Sequence, residues 1–156
     1  MKLKGRKIAI FVEKLYEDLE FWYPYLRMKE EVAEVCIVAP KVETYEGKHG
    51  LTVKADQSII TVKTDEFNAL IIPGGYSPDH LRRSPEMVEF VKKMNKEQKP
   101  IAAICHAPWM LASADTVKGK RVTSFYSIKD DLDHAGAEWI DQEVVGRKYN
   151  NITQSA

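Results

Sequence analysis

The chain has 156 residues, about one ordinary domain, with 44% hydrophobic and 29% charged residues. That balance argues against global disorder and against a two-domain layout. The 23 basic and 23 acidic residues cancel, so neither nucleic acid nor an anionic membrane is expected as a partner. The two cysteines, Cys36 and Cys105, lie in no C-x-x-C or zinc-type spacing, and neither a disulfide framework nor a metal site is expected.

The apolar run Ile8 to Val12 is too short for a signal peptide core or a membrane span. A soluble, reduced, cytoplasmic protein is expected. Read as structure, Lys7 to Val12 is a strand buried on both faces. Leu15, Leu19, Trp22 and Leu26 then recur at helical spacing, predicting a helix that ends near Val32, with Pro24 as a kink. Val35 to Ala39 is a second buried strand. Thr44 to Glu46 and Leu51 to Val53 flank Gly47 to Gly50 and predict a hairpin.

Ala69 to Ile72 is a third core strand, followed at once by Pro73-Gly74-Gly75. Ser84-Pro85-Glu86 is an N-cap, a first-turn proline and a first-turn acid, and predicts a helix to about Gln98. Its apolar face is Met87, Val88, Val91 and Met94. Pro100 to Ile104 is a fourth strand, and Ala107 to Ala114 a helix. Arg121 to Ser124 and Ala137 to Ile140 are weaker strands around a helix at Ile128 to Ala135, which Gly136 stops. Tyr149 to Ala156 reads as a last strand. Alternating strands and helices predict one α/β domain, a flavodoxin-like three-layer sandwich with a mostly parallel sheet.

In such sheets ligands bind beyond the carboxyl ends of the strands. The Glu17 region, Gly74-Gly75, Cys105-His106 and Ser124-Phe125-Tyr126 all fall there. Cys105 is the single residue between a strand and a helix, so it should project from a sharp elbow. The amide groups and dipole of the following helix favour a thiolate, drawing the thiol from about 8.5 into the range of roughly 4–7. A neighbouring carboxyl that keeps its proton could donate to that sulfur. The plain alternative for Cys105 is a buried structural thiol, which is the reading adopted for Cys36 inside its strand. For Glu17 the plain alternative is a helix-terminal acid, and for Asp79 a helix cap. Gly74-Gly75 could be only a tight turn, although a turn with exposed N–H groups is also what an oxyanion needs.

The run AAICHAPWMLASA, with IIPGGYSPDHLR before it, SFYSIKDDLDHAGAEW after it and FVEKLYEDLEFWYPYLRMKEE near the start, resembles the ThiJ/PfpI superfamily, and most closely its PfpI-type branch. The similarity runs from residue 7 to about 153. It implies that Cys105 is the nucleophile, His106 its base, and Glu17 the first-helix acid bonded to the sulfur. Asp79 sits where the family carries an acid that orients the histidine of a neighbouring subunit. Gly74 and Gly75, with the amide of His106, would form the oxyanion hole. Ala107 replaces the family's glycine after Cys-His, and the family's final helix has no counterpart here.

These residues imply a cysteine-nucleophile enzyme acting on carbonyl groups: a glyoxalase or deglycase type, or a peptidase-like one. Its partner would be a small carbonyl compound, a glycated group or a short peptide, and no metal or other cofactor is called for. A homo-oligomer, a dimer or a trimer of dimers, is expected because Asp79 would serve a neighbour's His106. The rival class is a redox sensor or holdase-type stress protein whose Cys105 is oxidised rather than catalytic.

Overall fold

The computed structural model describes residues 2–146 and 151–155. Lys7–Phe11 (β1) leads through a loop into Asp18–Glu30 (α1), and Glu34–Ala39 (β2) follows. Thr44–Glu46 (β3) and Thr52–Lys54 (β4) pair as the expected antiparallel hairpin, and Gln57–Ser58 (β5) is a short edge strand. Next come Ala69–Ile72 (β6), Ser77–Leu81 (α2), Pro85–Lys96 (α3), Ile101–Ile104 (β7) and Pro108–Ser113 (α4). Arg121–Val122 (β8), Lys129–His134 (α5), Glu138–Trp139 (β9), Val144–Gly146 (β10) and Asn151–Gln154 (β11) complete the order.

The main sheet runs β10-β11-β7-β6-β1-β2-β5, parallel except that β10 lies antiparallel to β11. Its central order is that of a flavodoxin-like sheet. Successive side chains on a strand point to opposite faces, and here each face has its own helical cover. Ala9, Phe11, Val38, Leu70, Ile72, Ile101 and Ala103 pack with Met87, Phe90, Val91 and Met94 of α3 and with Met110 and Leu111 of α4. Ile8, Ile10, Val12, Ile37, Ala39 and Ile71 pack on the other face, with Tyr16, Phe21 and the hairpin residues Tyr45 and Val53. The Ser84 hydroxyl accepts from the Met87 amide and caps α3 as expected.

Two expectations need correction. The face read for α1 is displaced: Leu19 and Leu26 are 73% and 59% exposed, and Phe21 is the fully buried apolar residue of the helix, with Trp22 packed against the same cluster. Leu15 lies before the helix with a φ of 60°, so it belongs to the loop and not to the helical stripe. The segment after Gly75 forms the short helix α2, with Ser77, Pro78 and Leu81 buried. Of the last expected strand, Tyr149, Asn150 and Ala156 lie outside the described residues, while β11 pairs with β7 from Asn151 and Ile101 onward. Among the described residues, no helix is long and apolar enough to cross a membrane.

Candidate active site

Four chain segments meet at the carboxyl ends of β1, β6 and β7. Where β7 ends, Cys105 takes a φ of 58°, the left-handed conformation that turns a strand sharply and that most residues avoid. Its N–H donates to Gln154 O and its C=O accepts from the Phe125 N–H, both at 2.9 Å. The elbow is held from two sides. Gly75, with a φ of 74°, bridges Tyr16 in the β1–α1 loop. A Cβ at Gly75 would stand 2.5 Å from Leu15 O, so no other residue fits that turn without moving backbone.

The acid that reaches the sulfur is Glu20, not Glu17. Glu20 Oε2 accepts the Gly74 N–H at 2.8 Å, and its carboxyl is hydrogen-bonded to Cys105. Gly74 makes this approach possible, because a Cβ there would lie 2.6 Å from Glu20 Oε2 and 2.7 Å from Cys105 Cβ. Glu17 caps the start of α1 in extended conformation, and its carboxylate binds Lys48 Nζ at 2.9 Å and faces His49 Nε2 at 3.2 Å. One helical turn separates the two acids. The earlier one stays at the mouth of the cleft, while the later one points back along the helix onto the strand ends. Between them Asp18, 2% exposed, accepts from the His49 and Leu51 N–H groups at 2.9 and 3.0 Å. It thereby ties the β3–β4 loop, and Lys48 with it, over the site.

His106 Nδ1 lies 3.1 Å from Cys105 Sγ, and its Nε2 lies 3.2 Å from Ser127 Oγ. Phe125 stacks on the ring at 5.0 Å between centroids, and Trp109 leans on it at 5.2 Å. Asp79 lies elsewhere. It pairs with Arg83 one turn along, and among the described residues no bond joins it to His106 of the same chain. The cleft holds about 610 Å³ and is lined in part by Glu17, Glu20, Lys48, Gly75, Cys105 and His106.

The electrostatics are those of a sulfur and a carboxyl sharing one charge. Burial pushes Glu20 up to about 7, against the Gly74 amide, which pulls it down. Burial and then the Glu20 carboxylate push the Cys105 thiol up to about 11, against the N–H groups of Gly75 and His106 and against Lys48. The low-titrating thiol expected from the elbow is therefore opposed by its surroundings. A thiolate is favoured only where Glu20 keeps the proton, so the pair titrates as a unit. Burial, and then Lys48, hold His106 below its ordinary value, which keeps the ring neutral and able to take a proton.

Glu17, Asp18 and His49 are the described residues grouped closely enough to hold a metal ion. Both Asp18 oxygens already accept from backbone, however, and Glu17 is paired with Lys48. Sequence reasoning passed over Glu20, Lys48 and Ser127. The available signal for Glu20 was its place in the first turn of α1, three residues beyond Glu17.

Residues 6–155 match the DJ-1/PfpI family. The chain belongs to that family. It is 46% identical over 139 residues to Deglycase PfpI of Pyrococcus furiosus, covering 89% of this chain and 84% of that one. It is 39% identical over 151 residues to Protein/nucleic acid deglycase 2 of Escherichia coli, covering 96% and 88%. Among solved structures it superposes with a TM-score of 0.94 and 37% identity on an Anabaena variabilis protein containing DJ-1/ThiJ/PfpI-like and ferritin-like domains. That match covers 97% of this chain and 44% of the two-domain one.

Proposed function

We propose that this chain is a cysteine-dependent enzyme of carbonyl chemistry, acting as a deglycase on groups modified by a small dicarbonyl. The observation that carries this reading is the Cys105 elbow, with Sγ 3.1 Å from His106 Nδ1 and in reach of the Gly75 and His106 N–H groups. His106 takes the thiol proton and sulfur forms a bond to the carbonyl carbon. The C=O π pair moves to oxygen, where the same two amides are placed to receive it. The proton on His106 then passes to that oxygen, giving a hemithioacetal from an aldehyde. The glycated group, a hemiaminal or hemithioacetal, supplies that aldehyde when its own C–N or C–S bond breaks, the bonding pair and the O–H proton leaving with the amine or thiol as the C=O forms. Acyl carbonyls would lead instead to a thioester that water cleaves. The relatives named deglycases support the first course.

A stress-protein reading has one observation in its favour. A carboxyl with its proton retained to about 7, hydrogen-bonded to a thiol, would also stabilise an oxidised sulfur. A direct comparison separates the two. Wild type, Cys105→Ala and His106→Ala would be incubated with a methylglyoxal-modified amine, a methylglyoxal-modified thiol and an unstructured peptide, and the released groups counted. Release by wild type alone is expected. Wild-type rates equal to those of Cys105→Ala on all three substrates would refute the enzyme reading.

A further inference from the structure

A loop can keep a charge beside a reacting group only if something fixes the loop. The β3–β4 loop carries Lys48 into the cleft that holds Cys105, yet residues 48 to 51 are all exposed. What holds them is the stretch between β1 and α1. The Lys48 N–H donates to Tyr16 O at 2.9 Å, and the Tyr16 hydroxyl donates to Leu51 O at 2.7 Å. The His49 and Leu51 N–H groups donate one to each oxygen of Asp18, at 2.9 and 3.0 Å. We propose that Asp18 is a positioning residue of this site: its buried carboxylate latches the β3–β4 loop and so holds the Lys48 ammonium in the cleft of Cys105. The inference rests on the reading of Cys105 as nucleophile.

Three features separate a latch from an ordinary helix-terminal acid. An acid in the first turn is favoured by the helix dipole while it stands in water, but Asp18 is 2% exposed. A carboxylate so buried is costly unless its oxygens are bonded, and here both are bonded to the loop. Gly47 is the second feature. A Cβ there would stand 2.5 Å from Asp18 Oδ2, and Gly47 is not among the residues of positive φ, so its missing side chain serves the close approach. The third is that the same stretch also holds the turn after β6. The Tyr76 N–H donates to Leu15 O at 2.9 Å, and the Glu17 N–H to Gly74 O at 3.2 Å. The ammonium of Lys48 and the amide of Gly75 are thus set in register by residues 15 to 18.

The position of that ammonium matters because Coulomb attraction weakens with distance. The titratable and charged groups facing the sulfur are Glu20 from α1, His106 beside it and Lys48 from the loop. Lys48 is the cation among them, and it draws the thiol down against burial and against Glu20. Glu17 binds the Lys48 ammonium and faces His49. It therefore steers the tip of the side chain, while Asp18 fixes the backbone from which that side chain extends.

The test is a cycle of variants read in the resting protein: Asp18→Asn, Gly47→Ala, Lys48→Met, and each of the first two combined with the third. Asparagine keeps the shape of Asp18 but turns an NH2 toward one of the two loop amides. Alanine at 47 keeps every charge and pushes on the carboxylate, so it decides the matter if Asp18→Asn also loosens the sheet amides of Ile10 and Val38. Hydrogen exchange at the amides of His49 and Leu51 should quicken in both latch variants. Alkylation of Cys105 at pH 7 should slow by about twofold to fivefold in each single variant, the worth of a partly exposed charge, as its profile moves to higher pH. Each double variant should be no slower than Lys48→Met. Faster exchange with unchanged alkylation, amides that stay protected in both latch variants, or double variants slowed by the product of the single effects would each overturn the proposal. A wild type without turnover would count against the enzyme reading alone, because exchange and alkylation are read without substrate.

Discussion

The two thiols of this chain have nearly the same exposure, 7% for Cys36 and 8% for Cys105, and burial is the largest cause that pushes each of them up. Little else about them agrees. Cys36 lies within β2, paired in register with Ala9 of β1, and its sulfur is one more apolar atom in the larger core cluster. Cys105 stands at a strand's end in a strained conformation, with two amides, a histidine and a carboxyl directed at it. Burial by itself therefore says nothing about reactivity. What separates the two is the number of polar groups whose own partners have been arranged so that they converge on the sulfur.

The widest gap between the two thiols should appear in activity. Cys105→Ala should lose at least about a thousandfold in release rate, as expected when a nucleophile acting with its base is removed, while Cys36→Ala should keep the wild-type rate per folded molecule. A comparable loss in both variants would erase the distinction.

A second contrast lies in the pH dependence of stability. Glu20 titrates at about 7 in the folded protein against 4.5 for the ordinary group, so the folded state holds a proton that the unfolded chain gives up. Stability should be full below about 4.5 and fall by roughly 3 kcal/mol as pH rises through 7. Glu20→Gln should flatten that decline in urea melts and also remove the step near pH 7 from the Cys105 alkylation profile. A decline that survives the substitution would place its origin elsewhere.

Cys36→Ser sharpens the comparison from the other side. A hydroxyl in that apolar cluster should cost about 1–3 kcal/mol in a denaturant midpoint, with activity at permissive temperature retained. Lys48→Ala should be the mildest. It removes a partly exposed pair worth under about 1 kcal/mol, and it should raise the titration of His106 and of Cys105, because Lys48 lowers both.

The strands were legible in the sequence because strands buried on both faces are written as continuous apolar runs, as in Lys7 to Val12 and Ala69 to Ile72. The start of α3 was legible because Ser84-Pro85-Glu86 carries its own punctuation. The packed face of α1 was not. Leucines at helical spacing point to a core, yet here aromatic residues do the packing, with Phe21 stacked near Tyr16, Trp22 and Tyr25. The elbow could be read from one residue standing between strand and helix. Choosing between Glu17 and Glu20 could not be done that way, since both are early acids of one helix. The choice depends on which one the helix turns toward β7, and on a glycine at 74 that lets it come close.

The peptide group of Cys105 is a stitch between late parts of the chain. Its N–H is held by Gln154 and its C=O by Phe125, and β11 lies between β7 and β10 in the finished sheet. A chain emerging from the ribosome presents its N-terminal parts first, so β1, β2, β6 and β7 can pair before residue 154 has been made. Until then one side of the Cys105 peptide has no partner, and the elbow is fastened on both sides only after Gln154 has been made and β11 has paired with β7.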